Sequence, residues 1–274
     1  MTSSAYSCNK RRPSGHLAQY VDHIYFLKGS MNNIQKDQPW FPVGSMDLVF
    51  DLGASFEQGT SLESLVQRPG AFAAGLYEQG IRIRPTGRID QVGIVFRPGK
   101  FRFFTKESQD HYKGRITPME EIFGMDAEQL QDKLTLASQE EDRLEIIHRF
   151  LEVHLRADLV QNYFMDYCIE RMQKSSGTIS IASLAEKGRT SPRHFRRMFK
   201  EYVGISPKLY AMMMRIQRVL TLTMIPSMDL TVLSHQLGYY DYSHFSRDFK
   251  GMTGMTISDF CSEQELITKT VIKD

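Results

Sequence analysis

Four cations, spaced so that they share one side of a helix, form the strongest chemical feature of the sequence. Arg193, Arg196, Arg197 and Lys200 recur at intervals of three and four residues, which places them on one helical face. Apolar residues take another face at the same spacing: Phe195, Met198, Phe199 and Tyr202. Arg can pair with guanine or hold a phosphate in the DNA major groove. The pattern indicates either a DNA-reading helix or an ordinary amphipathic helix with a solvated charged side.

The same block of residue types occurs a second time. The first copy contains His194, Phe195, Arg197, Phe199, Lys200 and Gly204, and the second, fifty residues later, contains His244, Phe245, Arg247, Phe249, Lys250 and Gly254. A repeat with matching internal spacing indicates a structural unit that is used twice.

Helix signals surround each copy. Ser191 suits the N-cap and Pro192 the first helical position, and Asp241 is expected to cap the second helix. Short helices are predicted upstream, around 181–185 and over 231–236, so each copy becomes a helix-turn-helix unit. A long helix beginning at Ser206 and ending near residue 225, before Pro226, would join the units. Recognition helices 191–202 and 241–251, held about 34 Å apart, would enter successive major grooves.

With these residues the chain resembles the DNA-binding domain of the AraC/XylS family of bacterial transcription regulators. The resemblance covers about residues 164–261, and the matching pattern also includes Leu184, Ala185, Ser206, Pro207, Tyr210, Arg215, Leu237, Gly238, Tyr239 and Ser246. It implies a sequence-specific transcription regulator, which we predict to be an activator. The implied partners are double-stranded promoter DNA and RNA polymerase, while a small-molecule effector and a homodimer are left open.

The predicted DNA-contacting residues are Arg193, His194, Arg196, Arg197 and Lys200 in the first unit, and Tyr242, Ser243, His244, Ser246, Arg247 and Lys250 in the second. Arg196 is the predicted base reader, while Arg247 and Lys250 are expected mainly to hold phosphate. The chain departs from the family at three positions. Arg189 stands where a turn glycine is usual, so a distorted first turn is expected, and Ser234 and Ile257 replace an alanine and a proline.

Composition is consistent with this assignment. The net charge is only +2, but residues 1–176 hold 21 Lys and Arg against 23 Asp and Glu, whereas residues 177–274 hold 13 against 9. The basic excess therefore lies with the repeat. Three scattered cysteines suggest a reducing compartment without a disulfide framework. With no signal peptide and no apolar run long enough for a membrane span, we predict a cytoplasmic protein.

The first half of the chain predicts an antiparallel β-barrel or sandwich of the cupin-like kind, followed by helices, which makes the fold class α+β. Strands are expected at 24–27, 46–52, 71–77, 80–84 and 91–96, helices from Lys100 onward, and unanchored or loop structure over 1–12, 31–39 and 53–67. The predicted domains are a sensor and dimerisation domain, 1–157, and a double helix-turn-helix domain, 158–274. Leucines and isoleucine on helix 140–155 permit either internal packing or a dimer seam.

Other functions have weaker signals. The strands carry no His-x-His pair, no phosphate-binding glycine loop occurs, and Cys8 and Cys168 lack an identifiable base. We therefore predict no catalytic residues, no metal and no cofactor. Aromatic residues at 40, 41, 50, 72, 77 and 96 could line a ligand site but more often form a core, and Arg82 and Arg84 more often lie in solvent than on an anion. A co-regulator acting by protein contact, and a barrel enzyme with a regulatory tail, remain the alternatives.

Overall fold

The computed structural model describes residues 6–29, 37–41, 44–222, 229–262 and 267. Within these ranges the strands precede the helices. The strands are β1 (Tyr6–Arg11), β2 (Val21–Gly29), β3 (Gln38–Trp40), β4 (Asp47–Asp51), β5 (Phe56–Gly59), β6 (Val66–Gln67), β7 (Ala71–Ala74), β8 (Ile81–Pro85), β9 (Ile89–Phe96) and β10 (Ile116–Pro118). The helices are α1 (Met119–Phe123), α2 (Met125–Leu136), α3 (Glu140–His154), α4 (Tyr163–Lys174), α5 (Ile181–Lys187), α6 (Pro192–Val203), α7 (Pro207–Leu222), α8 (Leu230–Gln236), α9 (Tyr242–Thr253) and α10 (Ile257–Ser262).

The strands form two antiparallel sheets. One has six strands in the order β1-β2-β9-β4-β7-β10, and the other has four in the order β3-β8-β5-β6. No pairing joins the two sheets within the described ranges, so the expected barrel is realised as two sheets that do not close. The α+β class, with antiparallel strands first and helices after them, is confirmed.

Alternation along β2 shows how the layers stack. Tyr25 and Leu27 belong to a buried cluster that also contains Phe56, Ile81 and Ile83 of the smaller sheet. Ile24 and Phe26 point the other way, into a larger cluster shared with the helices. Since neighbouring side chains on a strand take opposite faces, the six-stranded sheet lies between the smaller sheet and the helical layer.

The larger cluster runs without a break from the sheet into the helices of the repeat. It contains Leu48 and Ile94 from the sheet together with Phe195, Tyr210 and Phe245 from the later helices. A contiguous set of buried contacts of this kind normally marks one core. The smaller cluster also receives a residue from the far end of the chain, because Ile267 is fully buried there and its backbone N–H donates to Gln38 Oε1 at 2.6 Å.

Several loop predictions were wrong. Residues 6–11, expected to be unanchored, form β1, which pairs along its whole length with β2. The predicted loop over 53–67 contains β5 and β6, because Phe56 is buried and draws its short strand against β8. The end of the predicted loop over 31–39 contributes to β3, which Trp40 completes, and Phe101–Phe103 is a single 3-10 turn rather than the start of a helix. Residues 31–36 of the predicted loop, and the predicted end of the linker helix near residue 225, lie outside the described residues.

The apolar stripe on α3 is used within the chain. Ile147 and Leu151 are buried, and Leu144 and Leu155 pack against the same core. Of the two alternatives for this helix, internal packing therefore accounts for the stripe.

Candidate nucleic-acid interface

Side-chain caps fix the start of each predicted recognition helix. In α6, Ser191 Oγ accepts the backbone N–H of His194 at 3.2 Å, and Pro192 occupies the first turn. In α9, Asp241 Oδ1 accepts the equivalent N–H of His244 at 2.7 Å. Both helices end at a glycine in the left-handed region, Gly204 or Gly254. The two helices are thus delimited by the same devices.

The turns inside the two units also match, and the expected distortion of the first turn is not seen. The N–H of Thr190 donates to Ala185 O at 3.0 Å, and the N–H of Tyr239 donates to Ser234 O at 3.1 Å. Arg189 adopts φ 48°, the left-handed value expected of the glycine it replaces. The adjacent Gly188 is required for a steric reason, because a Cβ there would lie 2.1 Å from the Phe164 ring.

The buried face of each recognition helix is aromatic. Phe195 and Phe199 of α6, and Phe245 and Phe249 of α9, are fully buried. The substituted Ser234 is also fully buried, and its hydroxyl donates to Thr231 O at 2.7 Å, so the extra polar group is satisfied. This packing leaves the opposite faces of the helices toward solvent.

The predicted contact residues lie on those opposite faces. Ten of them are exposed: Arg193, His194, Arg196, Arg197, Lys200, Tyr242, Ser243, His244, Arg247 and Lys250. The eleventh, Ser246, is half-buried. The structure therefore brings six Lys and Arg side chains and their polar neighbours onto the outward faces of α6 and α9.

The guanidinium groups lie along their own helices in this state. Arg196 Nε donates to Pro192 O at 3.0 Å, and Arg247 Nε donates to Ser243 O at 3.3 Å. Arg197 lies 3.1 Å from His194 Nδ1 and 3.8 Å from Glu201. Exposed contacts of this kind contribute little energy, so these side chains can turn toward another partner at small cost.

The linker helix α7 holds the two units together. Its Arg215 Nε donates to Gly177 O at 3.1 Å, and the same guanidinium lies 5.3 Å above the Tyr239 ring, in the turn of the second unit. Tyr210 of α7 packs against Phe199 of the first unit with ring centroids 5.6 Å apart. One helix therefore contacts the core of both units.

A polar cluster that the sequence did not reveal joins the first unit to the sheet-bearing half. Lys100 Nζ lies 2.6 Å from Asp166 Oδ2 and 3.1 Å from the Tyr202 hydroxyl, which donates to Asp166 Oδ1 at 2.6 Å. Burial and the Asp166 carboxylate raise the pKa of Tyr202 well above its usual value, so the hydroxyl stays protonated. The only local signal was a tyrosine in the apolar stripe of α6, with a hydroxyl that needs a partner.

Backbone contacts extend this junction. Gly99 has φ 77°, and a Cβ there would come 2.6 Å from the Tyr202 ring. In the second unit, Met252 O accepts the N–H of Gly80, and Phe260 of α10 packs against Phe41 at 5.6 Å between centroids. Both helix-turn-helix units thus rest on the sheet-bearing half.

Catalytic and metal-binding alternatives gain no support from the described residues. These contain no group of three or more His, Cys, Asp and Glu side chains suited to a metal ion. Burial raises the pKa of Cys8 to about 11 and that of Cys168 to about 12, which keeps both thiols protonated and weakly nucleophilic at neutral pH. Arg82 and Arg84 form ion pairs with Asp37 and Glu57. No helix in the described ranges is long and apolar enough to cross a membrane.

Two capped helix pairs on a shared linker define a double helix-turn-helix DNA-binding domain. Residues 184–262 match the family described as "Helix-turn-helix domain", and this part of the chain is a helix-turn-helix domain of the AraC type. Residues 9–118 match a second family, described as a domain of unknown function (DUF6597).

Individual relatives are similar over different parts of the chain. An "Uncharacterized HTH-type transcriptional regulator", YobQ of Bacillus subtilis (strain 168), is 30% identical over 112 residues. This alignment covers 41% of the present chain and 43% of the relative, so it spans less than half of that protein's length. The structure of ToxT from Vibrio cholerae is 11% identical, with a TM-score of 0.48 over 94% of this chain and 98% of that one. The C-terminal domain of AraT from Geobacillus stearothermophilus is 21% identical, with a TM-score of 0.36 over 38% and 88% of the two chains.

Proposed function

We propose that this protein is a transcription regulator that binds promoter DNA through α6 and α9. Its activity is controlled by a signal that its β-rich half senses. In this proposal residues 1–157 form the sensor and residues 158–274 the reader. The observation that carries it is the duplication: two recognition helices share the same caps, the same turn and the same outward cationic face, and one helix joins them.

The roles within the interface follow from position and chemistry. The N-terminal part of a recognition helix is the part that meets base edges in this class of motif, which favours Arg193, Arg196 and Arg197 as readers in the first unit. Lys200 is one turn further on and suits a phosphate. In the second unit Ser243, His244 and Arg247 would face bases or backbone, with Lys250 on phosphate.

Selection of bound sites from a random duplex pool by the full-length protein tests the proposal. Two short preferred blocks about ten base pairs apart would support two readers on successive turns. One block would mean that only one unit reads sequence. No enrichment at all, with or without the β-rich half, would overturn the proposal.

Matched variants separate base reading from phosphate contact. Arg196→Ala should cost about 1–3 kcal/mol on the selected site and relax preference at one position, while Lys200→Ala should weaken all duplexes alike. Arg149→Ala removes an exposed arginine from α3 and should leave DNA binding unchanged. Equal losses for Arg196→Ala on selected and random DNA would contradict the assigned roles.

The co-regulator alternative has a separate signature. A protein that acts by contact with another protein would show weak DNA affinity of its own, whereas a DNA reader releases counterions. The logarithm of its binding constant should therefore fall steeply with the logarithm of salt concentration. Binding of a selected site that does not respond to salt would favour the co-regulator.

A further inference from the structure

A cavity of about 950 Å³ is lined by residues of both sheets and by residues of the helices of the reader. Its sheet side is formed by residues of β2, β3, β4 and β9, and its helix side by residues of α4 and α7. The volume falls in the range of small-molecule sites, which often occur at such junctions. A molecule held there would touch both the sheet and the linker helix that carries the two helix-turn-helix units.

One buried carboxylate in this cavity forms no ion pair among the described residues. Asp47 is 8% exposed, and among the described residues its side chain accepts one hydrogen bond, from Ser45 Oγ at 3.1 Å. No Lys, Arg or His of the described chain forms an ion pair with it. Asp51, four residues further along β4, does have a cationic partner: Arg68 donates two hydrogen bonds of 3.0 Å to its carboxylate. A buried carboxylate without a cation is costly, so Asp47 calls for an explanation.

The other charges around the cavity are largely matched to one another. Lys100 pairs with Asp166, Arg97 lies 3.9 Å from Asp22, and Glu170 pairs with Lys174. Arg218 of α7 stands at the exposed side of the cavity. Lys10 and His23 also line the cavity, with His23 beside Asp22, and no ion pair to Asp47 occurs among the described residues.

Part of the cavity wall is aromatic. Tyr25, Trp40 and Phe41 line the same cavity from the sheet side, and Tyr163 and Tyr167 line it from α4. Aromatic faces attract cations and exclude water from them. A carboxylate set among aromatic rings is the arrangement that proteins use to hold ammonium groups.

We infer that this cavity binds a small organic ammonium ion, with Asp47 as its counter-ion and the surrounding aromatic rings as its walls. Without a bound ligand, burial is the largest influence on Asp47 and raises its pKa to about 6, despite the opposing effect of His23. A bound cation would reverse that effect and keep the carboxylate ionised. That the bound ion acts as an effector rests on the proposed regulatory function. The binding of the ion does not depend on that function.

The single tryptophan of the chain makes the test direct, because Trp40 lines the cavity. Full-length protein is titrated with phenethylammonium and cyclohexylammonium at a pH of about 7.5, where Asp47 is ionised, and Trp40 fluorescence is followed. The matched controls are 3-phenylpropionate and 2-phenylethanol, which keep the ring and replace the charge. We expect a saturable change with the ammonium ions and none with the acid or the alcohol.

Two variants localise the binding. Asp47→Asn keeps the shape and removes the charge, and should weaken ammonium binding by about 30-fold or more. Glu170→Gln removes a carboxylate at the cavity that already pairs with Lys174, and should change binding by less than about twofold. Circular dichroism of each variant confirms that it is folded, and the comparison of probes on the unaltered protein does not depend on either variant.

Three results would overturn the inference: tighter binding of the carboxylate than of the ammonium ions, unchanged ammonium binding by folded Asp47→Asn, or no ammonium binding up to about 10 mM. DNA binding by the same preparation is measured by fluorescence anisotropy on a selected duplex. Sequence-specific DNA binding without ammonium binding removes only the ligand inference. Ammonium binding at Asp47 without any DNA selection leaves the site in place and removes the proposed function.

Discussion

Arg189 and Gly238 occupy the same turn position in the two helix-turn-helix units, and both adopt left-handed backbone angles, φ 48° and 77°. Glycine reaches this region freely, whereas a residue with a Cβ does so at a cost. The hydrogen bonds of the first turn are nevertheless formed. The fold therefore imposes the turn on Arg189, and the strain remains in the backbone.

Replacing that residue should release the strain. We expect Arg189→Gly to raise the free energy of unfolding by about 1 kcal/mol, the order of the left-handed penalty less the added entropy of the unfolded chain. Urea unfolding followed by circular dichroism measures it. Arg189→Ala is the matched control, since it removes the charge and keeps the Cβ. An equal gain from Arg189→Ala would show that the side chain, and not the backbone angle, is responsible.

Asp47 predicts a pH effect of definite sign. Its folded pKa of about 6 lies above the ordinary value of 3.8, so the unfolded chain loses this proton first as pH rises. The free energy of unfolding therefore decreases as the pH rises from 3.8 to about 6, and Asp47 causes no further decrease above that range. Asp47→Asn should therefore gain about 2–3 kcal/mol relative to the unaltered protein between a pH of about 4 and about 7.

Urea midpoints of both proteins at the two pH values give the comparison. The neighbouring Asp22 and His23 are present in both proteins, so the two proteins differ only at position 47. A difference in stability that does not change with pH would contradict the raised pKa.

At the scale of single elements, the helices of the repeat could be predicted because their signals are local. Ser191 and Asp241 were identified as caps, and the aromatic stripes at helical spacing gave the buried faces correctly. The two central recognition helices follow from these residues alone. Their contact with DNA stays a prediction.

The missed elements depend on partners that are distant in sequence. β1 has the residues Asn9, Lys10 and Arg11 at its end, and β5 carries Glu57 and Gln58, so neither reads as an apolar strand. These segments form strands because they pair with β2 and β8. β1 is an edge strand, where polar residues are common, whereas β5 lies between β8 and β6. The contacts of Lys100 and the burial of Asp47 were hidden for the same reason, since they arise only when distant segments meet.

The cap of α9 gives a test at this scale. Asp241→Ala removes the oxygen that accepts the N–H of His244, and should lower the free energy of unfolding by about 1 kcal/mol. Asp241→Asn keeps the accepting oxygen and should lose no more than about 0.5 kcal/mol, from the lost charge at the helix start. Similar losses in both variants, measured by urea unfolding, would show that charge rather than the hydrogen bond governs the cap.

For the whole molecule, the unbroken core from the sheet into the repeat has a thermodynamic consequence. Residues from both halves share the larger cluster, and both helix-turn-helix units contact the sheet-bearing half. Halves coupled in this way unfold together if the shared surface is large compared with the stability of either half. The sensor and the reader would then be one cooperative unit.

Two probes on one sample can check this. Trp40 fluorescence reports on the sheets, and circular dichroism at helical wavelengths reports mainly on the later helices. We expect the two urea transitions to coincide in midpoint and slope. Separate transitions would show that the halves are stable independently and that the shared core is only a contact surface.

The position of Ile267 bears on how the protein is made. The cluster between the two sheets includes Ile267 beside residues of β2, β5, β8 and β9. A ribosome finishes β9 about 170 residues before it reaches this isoleucine, and at about 5–20 residues per second the interval is roughly 10–30 s. Throughout that time the nascent sandwich has a gap where Ile267 will lie. The sheets can assemble early, but this part of their interior arrives only after both helix-turn-helix units have been translated.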